Sequence, residues 1–189
     1  MDKCKIINHT FKCRDGDYDS MTGACTFKEG VWQDVTTDDL FKNKTILLFS
    51  LPGAFTPTCS SQQLPTYDKM WPDFKMKGVD DVYCISVNDA FVMNAWERQL
   101  GIRNVKMIPD GCGTFTRSMG MLVDKPKQGF GMRSWRYAAL IENGVVEQWF
   151  EEPGINNLSN DEDPYGVTSP ENVLAKLEIE DEDELEDWQ

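Results

Sequence analysis

Three short apolar runs, TILLFSL (Thr45 to Leu51), DVYCISV (Asp81 to Val87) and VKMIP (Val105 to Pro109), are separated by segments long enough to hold a helix apiece. That spacing constrains the chain more than any other feature. Runs of this length, bounded by turn residues, read as buried strands, and strands joined by helical crossovers lie parallel in one sheet. The first crossover opens at Pro57, with Thr56 as its N-cap, and is read as continuing to Gly78 with kinks or interruptions at Pro65 and Pro72. The second, DAFVMNAWERQLG, is capped by Asn88, carries apolar residues at Phe91, Val92, Ala95, Trp96 and Leu100, and stops at Gly101.

Further along, GTFTRSMGML holds a short helix, and RYAALIENGVVEQWF reads as two strands joined by a type I′ turn at Asn143-Gly144. Ser169-Pro170 opens a last helix, PENVLAKLEIE. A short helix in TTDDLFKN, capped by Thr37, precedes the first buried strand. Parallel crossovers followed by an antiparallel hairpin make an α/β chain with a mixed central sheet flanked by helices.

The two ends read differently. Residues 1–35 mix β-like runs, CKIINHTF and ACTFKEGVW, with a polar connector, and read as an N-terminal arm or hairpin. Residues 178–189, rich in Asp and Glu, read as a solvated acidic tail. Residues 1–177 are then a single domain, arm included, in keeping with a chain of 189 residues and 40% hydrophobic content.

Charge and cysteine usage exclude several functions. A net charge of −13 with no Lys/Arg cluster argues against nucleic acid. No run approaches the roughly 18 apolar residues of a membrane span, and MDKCKIINHTF lacks the apolar core of a signal peptide, so the expected location is cytoplasmic. Six cysteines, at 4, 13, 25, 59, 84 and 112, are widely spaced and are expected to be reduced thiols. There is no C-x-x-C, and the single histidine, His9, has no close pair of ligand types beside it, so neither a dithiol motif nor a zinc site is expected.

One cysteine sits where chemistry is favoured. In PGAFTPTC (Pro52 to Cys59), Cys59 follows a strand end and falls in the first turn of a helix, where free N–H groups and the positive end of the dipole favour a thiolate. Reactive groups in open α/β sheets gather at such strand ends. Local features alone leave the alternative of a small buried hydrophobe. Cys84, inside an apolar run, reads as a core residue, and Cys112, at the PDGCGTF turn, is open to either reading.

PGAFTPTCS, ISVNDAFV (Ile85 to Val92), IPDG (Ile108 to Gly111) and GMRSWRYA (Gly131 to Ala138) together resemble the type II, or peroxiredoxin-5-like, peroxiredoxins of the AhpC/TSA superfamily. The match runs in register from about Val35 to Phe150, with a weaker echo in DPYGVTSPENVL (Asp163 to Leu174). The resemblance implies a thioredoxin-like fold and a thiol peroxidase acting on hydrogen peroxide and organic hydroperoxides, commonly a homodimer. It implies Cys59 as the peroxidatic residue and Pro52, Thr56 and Arg136 as its active-site partners, with no metal or organic cofactor. Some family members carry a late resolving cysteine, whereas no cysteine follows Cys112 here. Oxidised Cys59 is then expected to be reduced by an external thiol, glutathione with glutaredoxin or thioredoxin, unless Cys112, Cys84 or an arm cysteine intervenes. No fused glutaredoxin domain is expected.

The chemistry explains why these residue types would serve. Ionising a thiol accelerates attack only modestly, because the less basic sulfur is a weaker nucleophile. Most of the rate must come from placing the peroxide and stabilising the oxygen that leaves. Arg136 offers a permanent charge and several donors, the Thr56 hydroxyl an acceptor, and the Thr58 and Cys59 N–H groups further donors, while Pro52 shields the sulfur from water. Gly53 and Phe55 are expected to line the peroxide's approach. Arg133 is the rival arginine, set on the opposite face by strand alternation. The competing reading is a redox-sensing or holdase-type interaction protein in which Cys59 oxidation is a signal; a C-x-x-C-less thiol-disulfide oxidoreductase is a weaker third.

Overall fold

The computed structural model describes residues 4–15, 31–158 and 163–179. In chain order the elements are β1 (Cys4–Lys5), β2 (Thr10–Asp15), β3 (Val31–Thr36), α1 (Thr37–Phe41), β4 (Thr45–Ser50), α2 (Leu64–Lys69) and α3 (Trp71–Met76). They continue as β5 (Asp81–Ser86), α4 (Ala90–Leu100), β6 (Lys106–Pro109), α5 (Thr114–Ser118), β7 (Leu122–Lys125), β8 (Gly131–Ser134), β9 (Tyr137–Glu142), β10 (Val145–Glu151) and α6 (Pro170–Lys176).

The three apolar runs become β4, β5 and β6, paired in parallel. β9 adds antiparallel to β4, with Phe49 opposite Ala138, and the sheet order is β1-β10-β9-β4-β5-β6. Alternation along the central strands divides the core in two. Leu47, Phe49, Val82, Cys84, Ala138 and Leu140 face a layer of helices that supplies Leu64, Tyr67, Phe74, Met93, Trp96 and Val173. Ile46, Leu48, Tyr83, Ile85, Ala139 and Ile141 face Phe11, Phe41, Phe115, Val123 and Trp135. Ile46, Leu47, Leu48 and Phe49 are all fully buried. At roughly 1.5–3 kcal/mol each, their burial rivals the net stability of a typical domain. β4 is therefore the strand on which the site can be built rigidly.

Several local expectations change. The first residues are not wholly an appended arm, because β1 pairs antiparallel with β10 as an edge strand of the main sheet. CKIINHTF is split between β1 and β2, and the partner of β2 is Val31–Thr36, while most of the expected strand ACTFKEGVW, with Cys25, lies outside the described residues. The acidic tail from residue 180 also lies outside them. Thr36, not Thr37, caps α1, because Thr36 and Asp39 form a reciprocal capping box. Asp89, not Asn88, caps α4 and accepts from the Val92 N–H, since the Asn88 amide is engaged elsewhere. The last helix ends at Lys176, short of the expected LEIE.

Gly101 ends α4 with φ +65°, and the Asn143-Gly144 turn has φ +48° and +78°, as a type I′ turn requires. The β7–β8 hairpin, whose connection holds Pro126 and Gly129, carries no clear signal in the sequence. No helix among the described residues is long and apolar enough to cross a membrane.

Candidate active site

The loop after β4 is fixed from beneath. Ser50 Oγ donates to Ser134 Oγ at 2.7 Å and lies 3.2 Å from the Ile85 carbonyl, tying three strand ends together. Asn88 Oδ1 accepts from the Ala54 N–H at 2.9 Å and from Ser86 Oγ at 2.7 Å, which pins the loop to the end of β5. Gly53 is pressed into this support: a Cβ there would come within 3.4 Å of Arg133 Nε and 3.5 Å of Asn88 Oδ1. Phe55 takes a left-handed φ of +64°, costly for a residue with a bulky side chain, and its ring turns toward Trp96 at 6.5 Å.

Helical hydrogen bonding begins with the Ser60 N–H donating to the Thr56 carbonyl at 3.0 Å, so Thr56 holds the cap position. Its hydroxyl does not cap the helix but donates to the Gly53 carbonyl at 2.7 Å. The N–H groups of Thr58 and Cys59 lie ahead of the first helical bond. Cys59–Gln63 then form a π-helical turn, closed by the Leu64 N–H on the Cys59 carbonyl. Pro65 explains the widening, since its ring would collide with the carbonyl four residues back in a regular α-helix. The helix breaks again at Met70, ahead of Pro72.

This geometry buries the Cys59 sulfur within the helix-covered core and turns Gln63, one helical turn on, toward the same point. Arg136, just before β9, meets them both. Its Nη1 lies 3.5 Å from Cys59 Sγ and donates to Gln63 Oε1. Its Nη2 pairs with the Asp163 carboxylate, its Nε donates to the Pro164 carbonyl at 3.1 Å, and the Tyr165 ring lies 5.3 Å from its Cζ. Burial alone would lower the Arg136 pKa, but Cys59 and Asp163 more than offset it and raise it. The guanidinium is donor-only, so it dictates that Gln63 present its oxygen, leaving Gln63 Nε2 without a partner among the described residues.

Outside this cage opens a cavity of about 340 Å³, lined by Pro52, Thr56, Thr58, Lys125, Phe130 and Asp163 among others. Pro52, Thr56 and Thr58 line its mouth, and Cys59 and Arg136, both buried, adjoin it through Thr58 and Asp163. Gly53 and Phe55, expected to line it, do not: Gly53 is buried behind the loop and Phe55 faces α4. Arg133 points to the back of the loop; it lies in β8 while Arg136 lies outside it, so a break in the strand, not alternation, separates them.

Gln63 and Asp163 were not singled out from the sequence. The four-residue spacing from Cys59 could have found Gln63, whereas Asp163 reaches the site only through the fold. Cys84 is fully buried beside Cys59, and burial, with a smaller effect from Cys59, raises its pKa well above the usual thiol range. Cys4 and Cys112 are exposed and Cys13 half-buried, and all five described cysteines are free thiols. Among the described residues no group of three or more His, Cys, Asp or Glu is placed to hold a metal ion.

A cysteine, an arginine fork and a spare acceptor at one cavity can attack an electrophile and stabilise the charge that leaves. Comparison with known proteins agrees with that chemistry. A family model described as Redoxin matches residues 21–165. A peroxiredoxin of Rhizobium etli is 57% identical over 169 residues, covering 89% of this chain and 91% of that protein. Among solved structures, the Plasmodium falciparum antioxidant protein, a 1-Cys peroxiredoxin, superposes with a TM-score of 0.79 at 37% identity, over 90% of this chain and 95% of that one. Reduced Prx3 of Vibrio vulnificus in complex with hydrogen peroxide superposes with a TM-score of 0.72 at 35% identity, over 91% and 92% of the two chains. The central mixed sheet flanked by helices is accordingly a thioredoxin-like fold, and the chain belongs to the redoxin family and, within it, to the peroxiredoxins of the AhpC/TSA superfamily, which are thiol peroxidases.

Proposed function

We propose that Cys59 is the peroxidatic residue and reduces hydrogen peroxide and organic hydroperoxides, cycling from thiolate to sulfenic acid. The observation that carries this reading is the 3.5 Å approach of the Arg136 guanidinium to the Cys59 sulfur inside a closed set of acceptors. The thiolate attacks one peroxide oxygen and forms an S–O bond as the O–O bond breaks. The other oxygen leaves with the electron pair as hydroxide or alkoxide and takes a proton from water. Sulfur is oxidised by two electrons and the peroxide reduced by two.

Arg136 stabilises the departing charge. Thr56 has committed its proton to the Gly53 carbonyl, so toward a substrate its hydroxyl acts as an acceptor and selects the protonated end of the peroxide. The Thr58 and Cys59 N–H groups hold the oxygens, and Pro52 shields the sulfur. In the Vibrio vulnificus relative hydrogen peroxide is bound to the reduced protein, which supports the same substrate here.

Regeneration falls to an external thiol, glutathione with glutaredoxin or thioredoxin. Two observations support it. Cys84, buried beside Cys59, is a poor nucleophile because burial holds it as the thiol. Exposed Cys112 borders a separate cavity with His9, Phe11 and Trp32. The free thiols suit a reducing compartment such as the cytosol, and by likeness to the family the working unit is a homodimer.

Replacing Cys59 with serine tests the reading. Peroxide consumption with a thiol reductant should fall to background, and sustained turnover in Cys59→Ser would overturn it. A wild-type protein that oxidised once and did not turn over with any thiol reductant would favour a sensing role instead.

A further inference from the structure

Glu152 touches neither Cys59 nor the side chain of Arg136, yet it holds the chain on both sides of that arginine. It follows β10, is buried, and donates its N–H to the Arg136 carbonyl at 3.1 Å while its own carbonyl accepts from the Trp135 indole N–H at 2.7 Å. Its Oε1 accepts three more bonds, from the Gly166 N–H at 2.7 Å and from the Thr168 N–H and hydroxyl at 2.8 Å each. Burial would push its carboxyl pKa up, but these donors outweigh burial and hold it below the usual range, so the group is ionised at neutral pH.

Residues 163–168 form no helix or strand. No ladder fixes their place; the bonds to Glu152 do, aided by Tyr67 Oη, which donates to the Thr168 carbonyl at 2.8 Å, and by Asn172 Nδ2, which donates to the Val167 carbonyl at 2.6 Å. This segment supplies three of the surfaces around the guanidinium: the Asp163 carboxylate, the Pro164 carbonyl and the Tyr165 ring. One buried carboxylate therefore joins the backbone that carries Arg136 to the segment that orients its side chain.

We propose that Glu152 is a positioning residue for the peroxide reaction: by anchoring residues 163–168 it sets the direction of the Arg136 guanidinium against Cys59. The inference rests on the role proposed above for Arg136 in activating peroxide. Small displacements of an aligned group are costly in rate, about 100-fold for roughly 1 Å. Partial release of the segment should therefore slow the peroxide step while leaving the sulfur's general reactivity in place.

The test is a double-mutant cycle on reduced full-length protein, with hydrogen peroxide and iodoacetamide as the two probes of Cys59. Glu152→Ala should lower the rate constant with peroxide about ten-fold or more, with alkylation by iodoacetamide within about two-fold of wild type. Glu152→Gln, which keeps an accepting oxygen, should recover to within about three-fold. In an Arg136→Ala background, Glu152→Ala should cost nothing further.

Equal losses with both reagents, or a Glu152→Ala loss that adds fully to that of Arg136→Ala, would overturn the inference alone. An Arg136→Ala protein as fast as wild type would overturn the arginine's role, and this inference with it. If Glu152→Ala does not fold, Thr168→Val removes one donor from the same carboxylate. It should slow peroxide about two- to five-fold without changing alkylation, and a wild-type rate there would overturn the inference.

Discussion

Arg133 and Arg136 stand three residues apart on either side of the β8–β9 junction, and their surroundings could hardly differ more. Arg136 is 1% exposed and surrounded by a thiol, an amide oxygen, a carboxylate and a carbonyl. Arg133 is half-buried, with Nη1 3.1 Å from the Met132 carbonyl and 3.4 Å from that of Val87, and its buried Nε has no partner among the described residues. Burial lowers the Arg133 pKa, while Arg136, more deeply buried, has its pKa raised by Cys59 and Asp163 against the effect of burial. A buried cation is retained at full charge where acceptors surround it. Arg133 instead packs behind the loop, against Gly53 and the Phe130 ring.

Exchange of the two arginines for alanine should break the comparison most visibly. Arg136→Ala is expected to lower the rate constant of Cys59 with peroxide by about 100-fold or more, the scale of losing a preorganised donor at a developing oxyanion. Arg133→Ala should stay within about three-fold, a surface-like substitution for the chemistry. Stopped-flow measurement on the two reduced variants decides it, and equal losses would place the two arginines in the same role.

A smaller effect is expected at Gln63. Gln63→Ala removes an acceptor from Arg136 Nη1 without touching its pairing to Asp163, so the same rate constant should fall roughly five- to ten-fold. A loss as large as that of Arg136→Ala would mean that Gln63 itself meets the substrate. Arg133→Met should be neutral or slightly stabilising, because it keeps the packing and removes a buried unpaired donor. A fall in melting temperature of more than a few degrees would show that the Arg133 cation is needed where it stands.

The smallest effect concerns acid. The folded Glu152 carboxyl is held below its ordinary value, so its stabilisation is fully present above the unfolded value of about 4.3 and is lost as the pH falls through the lower folded value. Melting curves of wild type and Glu152→Gln between about pH 5 and 3 should converge as the pH drops. Parallel curves would show that the carboxylate is not held in its ionised form by Gly166 and Thr168.

The sequence showed the frame of the site more clearly than its interior. β4, β5 and β6 were legible because continuous apolar runs separated by helical lengths have few other solutions, and the Asn143-Gly144 turn because φ > 0 at two adjacent positions demands such residues. The caps at Thr36 and Asp89 each fell one residue away from expectation. At Asn88 the reason is physical: its amide serves the loop after β4, so the next residue caps the helix. The mouth was partly legible, since Pro52, Thr56 and Thr58 lie on one short loop beside Cys59. What surrounds Arg136 was not, because Gln63 and Asp163 are brought to its side chain, and Glu152 to its backbone, by tertiary packing, with no local pattern to mark them.

The central claim is that Cys59 is the thiol that meets peroxide. Fully reduced protein mixed with one equivalent of hydrogen peroxide, trapped within seconds by a dione reagent and mapped over all six cysteines by mass spectrometry, tests it most directly. The account predicts sulfenic acid on Cys59 in preference to every other cysteine, with Cys84 unlabelled beside it. Preferential label on Cys112 or an arm cysteine, with Cys59 still reduced, would contradict it.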